Sequence, residues 1–273
     1  MPELPEVETI ANGLNKRVAG DRIDSVWIGS KPEPLKSPAA AIARTLEGTR
    51  IEQVRRVGKH IVFDLAARKV AKKKDQRQWI VHLGMTGRML VAAPEVEVLP
   101  HTHLVAKLKS GRELRFVDPR RFGRLEVRTT AFVGPGTEPT RITLEDFIEL
   151  FRGRKAPIKG ALLNQTLLHG VGNIYADESL FRAGVRPRRK AGALTRAEYA
   201  KLHAALQQVL KEAIAAGGSS ISDYVDAEGE EGFFQLKHRA YGRSGKPCLV
   251  CKTPIKKIVV AGRGTHYCPK CQR

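Results

Sequence analysis

The chain has 273 residues, 42% of them hydrophobic and 28% charged, an ordinary globular mix long enough for one large domain or two smaller ones with proper cores. Its 48 Lys and Arg outnumber 28 Asp and Glu, giving a formal charge of +20 that points to a polyanionic partner. Nucleic acid is favoured over a membrane surface, because no basic amphipathic helix carries bulky apolar anchors and no apolar run reaches bilayer length. The acidic start, with Glu3, Glu6 and Glu8 and no apolar core, does not read as a targeting signal. A cytoplasmic, nucleoid-associated location is therefore expected.

From Pro2 a short extended start leads into a helix: Pro5 suits a first turn, Val7, Ile10, Ala11, Leu14 and Val18 form a stripe, and Gly20 suits a stop. Short β-rich runs follow at 23–28, 51–54, 60–65, 79–83, 103–108, 113–117 and 124–127, with a small helix over 39–46. Turn signals at Gly58-Lys59, Gly84, Gly87, Ser110-Gly111 and Asp118-Pro119 punctuate them as in a sandwich or barrel. Residues 129–140, with two glycines and two prolines, read as a linker. Thr143 looks like an N-cap, and helical patterns run over 144–151, 158–168, 174–183 and 196–216. The Gly-rich stretch 217–232 reads as a long loop. Beyond Glu231 there are ten Lys or Arg and no acid.

All four cysteines lie in this basic tail. Cys248-x2-Cys251 and Cys268-x2-Cys271, sixteen residues apart, fit a tetrahedral thiolate site for one structural Zn2+. A redox CxxC would instead open a helix in a βαβ unit, whereas Pro247-Cys248 and Cys268-Pro269 sit in turns around the strand-like 255–260. Four thiolates leave no open position for catalysis, and the implied hairpin tip is Ala261-Gly262-Arg263-Gly264. No organic cofactor is expected.

The N-terminal run Met1-Pro2-Glu3-Leu4-Pro5-Glu6-Val7-Glu8-Thr9 resembles the start of the bacterial formamidopyrimidine-DNA glycosylase family. The likeness continues through His82-Leu83-Gly84-Met85-Thr86-Gly87, Asp118-Pro119-Arg120-Arg121-Phe122-Gly123, Gly170-Val171-Gly172-Asn173-Ile174-Tyr175-Ala176, Tyr241-Gly242-Arg243 and the cysteine pairs. The resemblance implies an α+β, multidomain fold. Its parts would be an N-terminal β-sandwich with flanking helices over 2–130, a linker at 131–140, a helix–two-turn–helix domain over 141–235 with a lesion-capping loop at 217–232, and a zinc-finger hairpin over 236–273. It implies a monomeric base-excision enzyme acting on double-stranded DNA that contains oxidised bases or abasic sites.

Residue roles follow from the same resemblance. Pro2, as a secondary amine after loss of Met1, is the Schiff-base nucleophile, and Glu3 is the proton donor; α-amino groups titrate near ~8, so part is unprotonated at neutral pH. Lys59 donates a proton in β-elimination and Arg263 in δ-elimination. Met85, Arg121 and Phe122 would fill the void left by an extruded nucleotide. His82, Lys159, Asn173 and Arg263 would hold DNA, Asn173 also serving as a helix N-cap. Singly, each has a plainer reading: a chain end, a helix acid, a solvated lysine, a core Met or Phe.

Two features depart from the pattern or leave it open. The basic stretch 66–78 is longer than the family's usual turn there, either a solvated loop or an additional DNA contact. The endonuclease VIII branch shares Pro2 and Glu3 but favours oxidised pyrimidines; Leu4-Pro5-Glu6-Val7 and Arg121-Phe122 side with purines. A damage-binding protein that has lost catalysis is the other alternative.

Overall fold

Helix α1 (Leu4–Val18) opens the fold, and strand β1 (Ile23–Ile28) and helix α2 (Ala39–Leu46) follow it. Strands β2 (Ile51–Val57), β3 (His60–Leu65), β4 (Lys69–Val70), β5 (Lys73–Lys74), β6 (Arg77–His82), β7 (Arg88–Ala92), β8 (Thr102–Leu108), β9 (Glu113–Val117) and β10 (Arg124–Arg128) come next. This computed structural model describes residues 2–66, 69–70, 73–74, 76–219 and 232–273. Two four-stranded antiparallel sheets, β1-β8-β9-β7 and β10-β6-β3-β2, make the expected sandwich. Alternation puts Ile61, Phe63 and Leu65 of β3 and Trp79 and Val81 of β6 into one core, where Phe63 and Trp79 stack at 4.6 Å. The stripe Val7, Ile10, Ala11, Leu14 and Val18 of α1 joins that core, as do Ile42 and Leu46 of α2.

The edge strand β7 has no counterpart in the sequence reading. Its run Arg-Met-Leu-Val-Ala follows Gly87 directly and buries only Met89 well, so its alternation is weak. Strands β4 and β5 pair Lys69 with Lys74 and Val70 with Lys73, a two-stranded ribbon in the basic stretch read as a loop.

A second compact unit comprises residues 134–216 and 233–273, while Gly217, Gly218, Ser219 and Gly232 group with the sandwich. Its helices are α3 (Leu144–Phe151), α4 (Ile158–Leu163), α5 (Asn173–Ala183) and α6 (Arg196–Ala215), followed by the hairpin strands β11 (Lys256–Val260) and β12 (Arg263–Tyr267). Thr143 caps α3 by accepting from the Asp146 N–H, as its position suggests. The helix expected over 158–168 stops at Leu163. Asn164 accepts from the backbone N–H and hydroxyl of Thr166, and Gln165 bonds Leu163 O, Val171 O and the Gly170 N–H, so side chains stabilise a turn in place of helix. The stretch 129–140 is anchored rather than free: Phe132 N–H donates to Gln78, while Thr137 exchanges backbone bonds with Leu167 and His169. Among the described residues no helix is long and apolar enough to cross a membrane. The expected lesion-capping loop falls mostly at 220–231, outside the described residues.

Candidate active site

The first unit gathers its candidate residues at one pole. Along the α1–β2 interface Asn15 accepts from Val54 N–H and Glu8 pairs with Arg56, so α1 runs antiparallel to β2. That register carries the Pro2–Glu3 end of α1 toward the β2–β3 turn, where Lys59 sits half-buried beside Gly58 in a left-handed conformation. Pro2 and Glu3 are both buried. Glu3 is the N-cap of α1 in a reciprocal capping box: its carboxylate accepts from the Glu6 N–H, and its own N–H donates to Glu6 Oε2 at 2.8 Å. The other oxygen of Glu6 accepts from Ser219 N–H at 2.8 Å, so one buried side chain ties α1 to the backbone at Ser219. Gly218, at φ +83, lies so close that a Cβ there would meet Glu6 Cγ at 2.9 Å.

His82 pairs with His60 across β6 and β3, next to the Lys59 turn. Burial, with the neighbouring charges of His60, Lys59 and Arg124, lowers its pKa to about 4. It is therefore neutral near pH 7, and since Nδ1 accepts from Gly84 N–H at 3.1 Å, Nε2 carries the proton. His82 can offer a phosphate a neutral N–H donor and no full charge.

Met85 and Phe122 stand out from the surface, 41% and 48% exposed. Their two loops interlock, since a Cβ on Gly84 would lie 2.5 Å from the Phe122 carbonyl carbon. The fully buried Asp118 clamps both, accepting from the Thr86 hydroxyl at 2.6 Å and from Gly123 N–H at 2.7 Å. Arg121 has φ +57, a conformation disfavoured for a side-chain-bearing residue, and pairs with Glu33 at 2.6 Å. Arg120 stacks over Phe122 at 4.7 Å. Beside Arg121 an open pocket of about 440 Å³ is lined by Trp27, Lys31 and an exposed His101 with φ +65. His101 escaped the sequence reading, and Asp118 entered it only as part of a turn and of a family-like run, with no role of its own.

In the second unit three side chains grip the zinc-finger hairpin. Lys159, 0% exposed, pairs with Asp177 at 2.6 Å and donates to Gly264 O at 3.0 Å and to the Thr265 hydroxyl at 2.8 Å. This corrects the expectation of a DNA contact: its ammonium is enclosed and neutralised, and it braces the hairpin instead. For Asn173 it is the N-cap expectation that is corrected. The N-cap of α5 is Gly172, and the Asn173 amide donates to Gly264 O at 3.0 Å. Asp177 further accepts from His266 N–H at 2.8 Å. Held this way, Arg263 is exposed beside the tight turn Ala261-Gly262, both at positive φ. Glu178, whose pKa burial raises, accepts from the N–H groups of Arg239, Ala240 and Tyr241 and so fixes the chain ahead of the finger.

The four cysteine sulfurs lie within 4.8 Å of one another, with Cys248–Cys271 at 3.9 Å and Cys251–Cys268 at 3.4 Å. Tetrahedral zinc with ~2.3 Å bonds to sulfur separates its ligands by about 3.8 Å, so the donor set fits one structural zinc. Val250 and Cys271 N–H groups donate to the Cys248 and Cys268 sulfurs, which suits thiolates.

A β-sandwich, a helical unit and a four-cysteine hairpin define a zinc-finger protein of the helix–two-turn–helix class. Three family models match the chain: the formamidopyrimidine-DNA glycosylase N-terminal domain over residues 1–125, the H2TH domain of that enzyme over 133–225, and the zinc finger found in FPG and IleRS over 245–273. A formamidopyrimidine-DNA glycosylase of Solibacter usitatus is 43% identical over 100% of both chains. A Lactococcus lactis FPG point variant in complex with Fapy-dG-containing DNA matches at 34% identity and TM-score 0.89, covering 100% of each chain. The wild-type Lactococcus lactis protein with an oxidised-pyrimidine-containing DNA matches at TM-score 0.87 and 34% identity over the same full coverage. The chain belongs to the formamidopyrimidine-DNA glycosylase family.

Proposed function

We propose that the protein is a base-excision DNA glycosylase and abasic-site lyase that removes oxidised purines from duplex DNA, with the Pro2 nitrogen as nucleophile once Met1 is cleaved off. The observation that carries this reading is the sandwich pole, to which α1 directs Pro2 and Glu3 at the Lys59 turn and neutral His82. On this reading residues 2–130 perform the chemistry, and 141–235 and 236–273 hold the DNA at the bacterial nucleoid.

The Pro2 amine attacks C1′ of the extruded nucleotide, and the glycosidic electron pair leaves with the base. Glu3 protonates the ring oxygen as the C1′–O bond opens, leaving an iminium between Pro2 and the sugar. That cation is the electron sink for two eliminations. Loss of the C2′ proton expels the 3′ phosphate, and loss of the C4′ proton from the conjugated iminium then expels the 5′ phosphate, with Lys59 and Arg263 as the respective proton donors. Met85 and Phe122 fill the vacated stack while Arg121 faces the orphaned base. Neutral His82 donates Nε2–H to a phosphate, and Asn173 acts on DNA through the hairpin whose tip it holds. Zinc, held by Cys248, Cys251, Cys268 and Cys271, supplies the rigidity of that hairpin.

Borohydride trapping tests this reading. Duplexes carrying 8-oxoguanine opposite cytosine are expected to give a covalent complex faster than duplexes carrying 5-hydroxyuracil, and Pro2→Gly or a retained Met1 to give little. Faster trapping on the pyrimidine would assign the protein to the endonuclease VIII-like activity. Binding of damaged DNA with no trapping on either lesion would make it a silent damage-binding protein.

A further inference from the structure

The sandwich has a second charged pole, at the far end from Pro2. Helix α1 has 15 residues and β2 has 7, so about 20 Å of packed structure separates the two ends. At the far end an open concavity of about 590 Å³ is lined by Arg22, Arg50 and Lys109. Arg22 and Arg50 face each other across an antiparallel bridge, and Lys109 N–H donates to Arg22 O, so backbone bonds hold the three stems together. The acids nearby are already engaged. Asp21 accepts from the N–H groups of Arg22 and Ser110 and pairs with Arg112 at 3.7 Å, while Glu52 pairs with Arg50 at 3.8 Å. Arg22 and Lys109 are exposed, and neither forms an ion pair among the described residues.

The chain leaves this concavity through Ala66, whose N–H donates to Arg50 O, and enters the β4–β5 ribbon. Leu65 pairs with Arg77 at the end of the β3–β6 ladder, and Lys69 pairs with Lys74 in the separate two-stranded ribbon. Lys69, Lys73 and Lys74 are three of its four strand residues.

We propose that this pole is a second binding surface for the phosphate backbone of double-stranded DNA, one that captures an undamaged segment while the Pro2 pole holds the lesion. Arg22 and Lys109, exposed on backbone held by ladder bonds and with the neighbouring carboxylates spent, match a polyanion of one charge per ~1.7 Å and no base-specific groups. The ~20 Å that separates them from the Lys59 turn is about six base pairs of rise, so a lesion duplex that extends no further than this leaves them open to a separate segment.

The test uses full-length, zinc-loaded protein fixed by borohydride to a short, bead-tethered lesion duplex, and therefore rests on the function proposed above. Absence of fixed protein would be a failure of that function; the present inference is read only from fixed protein. A fluorescent, undamaged duplex is then added at low salt. Wild-type protein is expected to retain it, and a salt titration to show a slope that Arg22→Glu/Lys109→Glu lowers by about 2. The same variant is expected to hold about tenfold less second duplex while excising from a short duplex within about twofold of wild type, and Arg22→Lys/Lys109→Arg to restore capture. Equal capture by wild type and the Glu variant, or no capture by fixed wild-type protein, would overturn the inference. So would loss of short-duplex excision in the folded variant, which would put these cations on the lesion strand.

Discussion

The N-termini of α1 and α5 serve candidate sites in different ways. In α1 the first-turn donors are closed by the protein's own carboxylates, Glu3 and Glu6 in a reciprocal box. In α5 the cap is Gly172, which has no side chain, and the first residue, Asn173, turns its amide to Gly264 O. The first helix end is thus sealed against anions and reserved for an amine and a carboxylic acid. The second has a cap residue with no side chain, and its first side chain is spent on the hairpin.

The largest expected effect breaks the first end. Glu3→Gln keeps a side-chain acceptor for the Glu6 N–H but removes the proton donor, so single-turnover excision should fall about 10²–10⁴-fold with thermal stability little changed. If excision survives, Glu3 is only a cap. The next effect tests the second end. Lys159→Met leaves the buried Asp177 of α5 without its cation, at a cost of about 3–5 kcal/mol in chemical denaturation. Restoring neutrality with Lys159→Met/Asp177→Asn should recover much of that loss; no recovery would show that packing, not the ion pair, holds the hairpin.

Smaller effects sharpen the contrast. Glu6→Gln offers one acceptor where the Glu3 and Ser219 N–H groups need two, and should cost about 1–3 kcal/mol, read as a shift in Tm. The mildest is a pH dependence. The folded pKa of His82, about 4, lies below its ordinary 6.5, so the unfolded chain binds the proton more tightly between those values. Its contribution to stability is complete above about 6.5 and is lost as pH falls toward 4. His238, also lowered to about 4 by burial, shares that window. His82→Gln should therefore flatten, and not abolish, the acid-side fall in Tm.

Much of this was legible in the sequence. The α1 stripe, the β-rich runs of β3 and β6 and the Thr143 cap are local patterns, and each element forms at its pattern, β6 starting two residues earlier than its run. The paired CxxC spacing likewise marked a site whose sulfurs do converge. What escaped is long-range. Asp118, Asp177 and Glu178 are buried carboxylates that accept backbone N–H groups from distant segments, and no periodicity announces such a role. Lys159 misled for the same reason: a lysine in a basic protein reads as solvated or DNA-facing until its partner, eighteen positions on, is placed in space. Asn173 occupied a capping-type sequence but lost the cap to the residue before it, because Gly264 O offered its amide a better partner.

Glu6 carries a consequence of its own. Its two oxygens are separately committed, Oε2 to the peptide that follows Pro2 and Oε1 to the peptide of Ser219. A side chain with this double duty has no spare lone pair arrangement that an amide could imitate, and an aspartate would fall one methylene short of both donors. Helix propensity would tolerate half a dozen residues at this position, yet the wiring accepts one. The stretch Leu4-Pro5-Glu6-Val7 is thus a splice joining two distant parts of the chain, written in what looks like the opening of a helix.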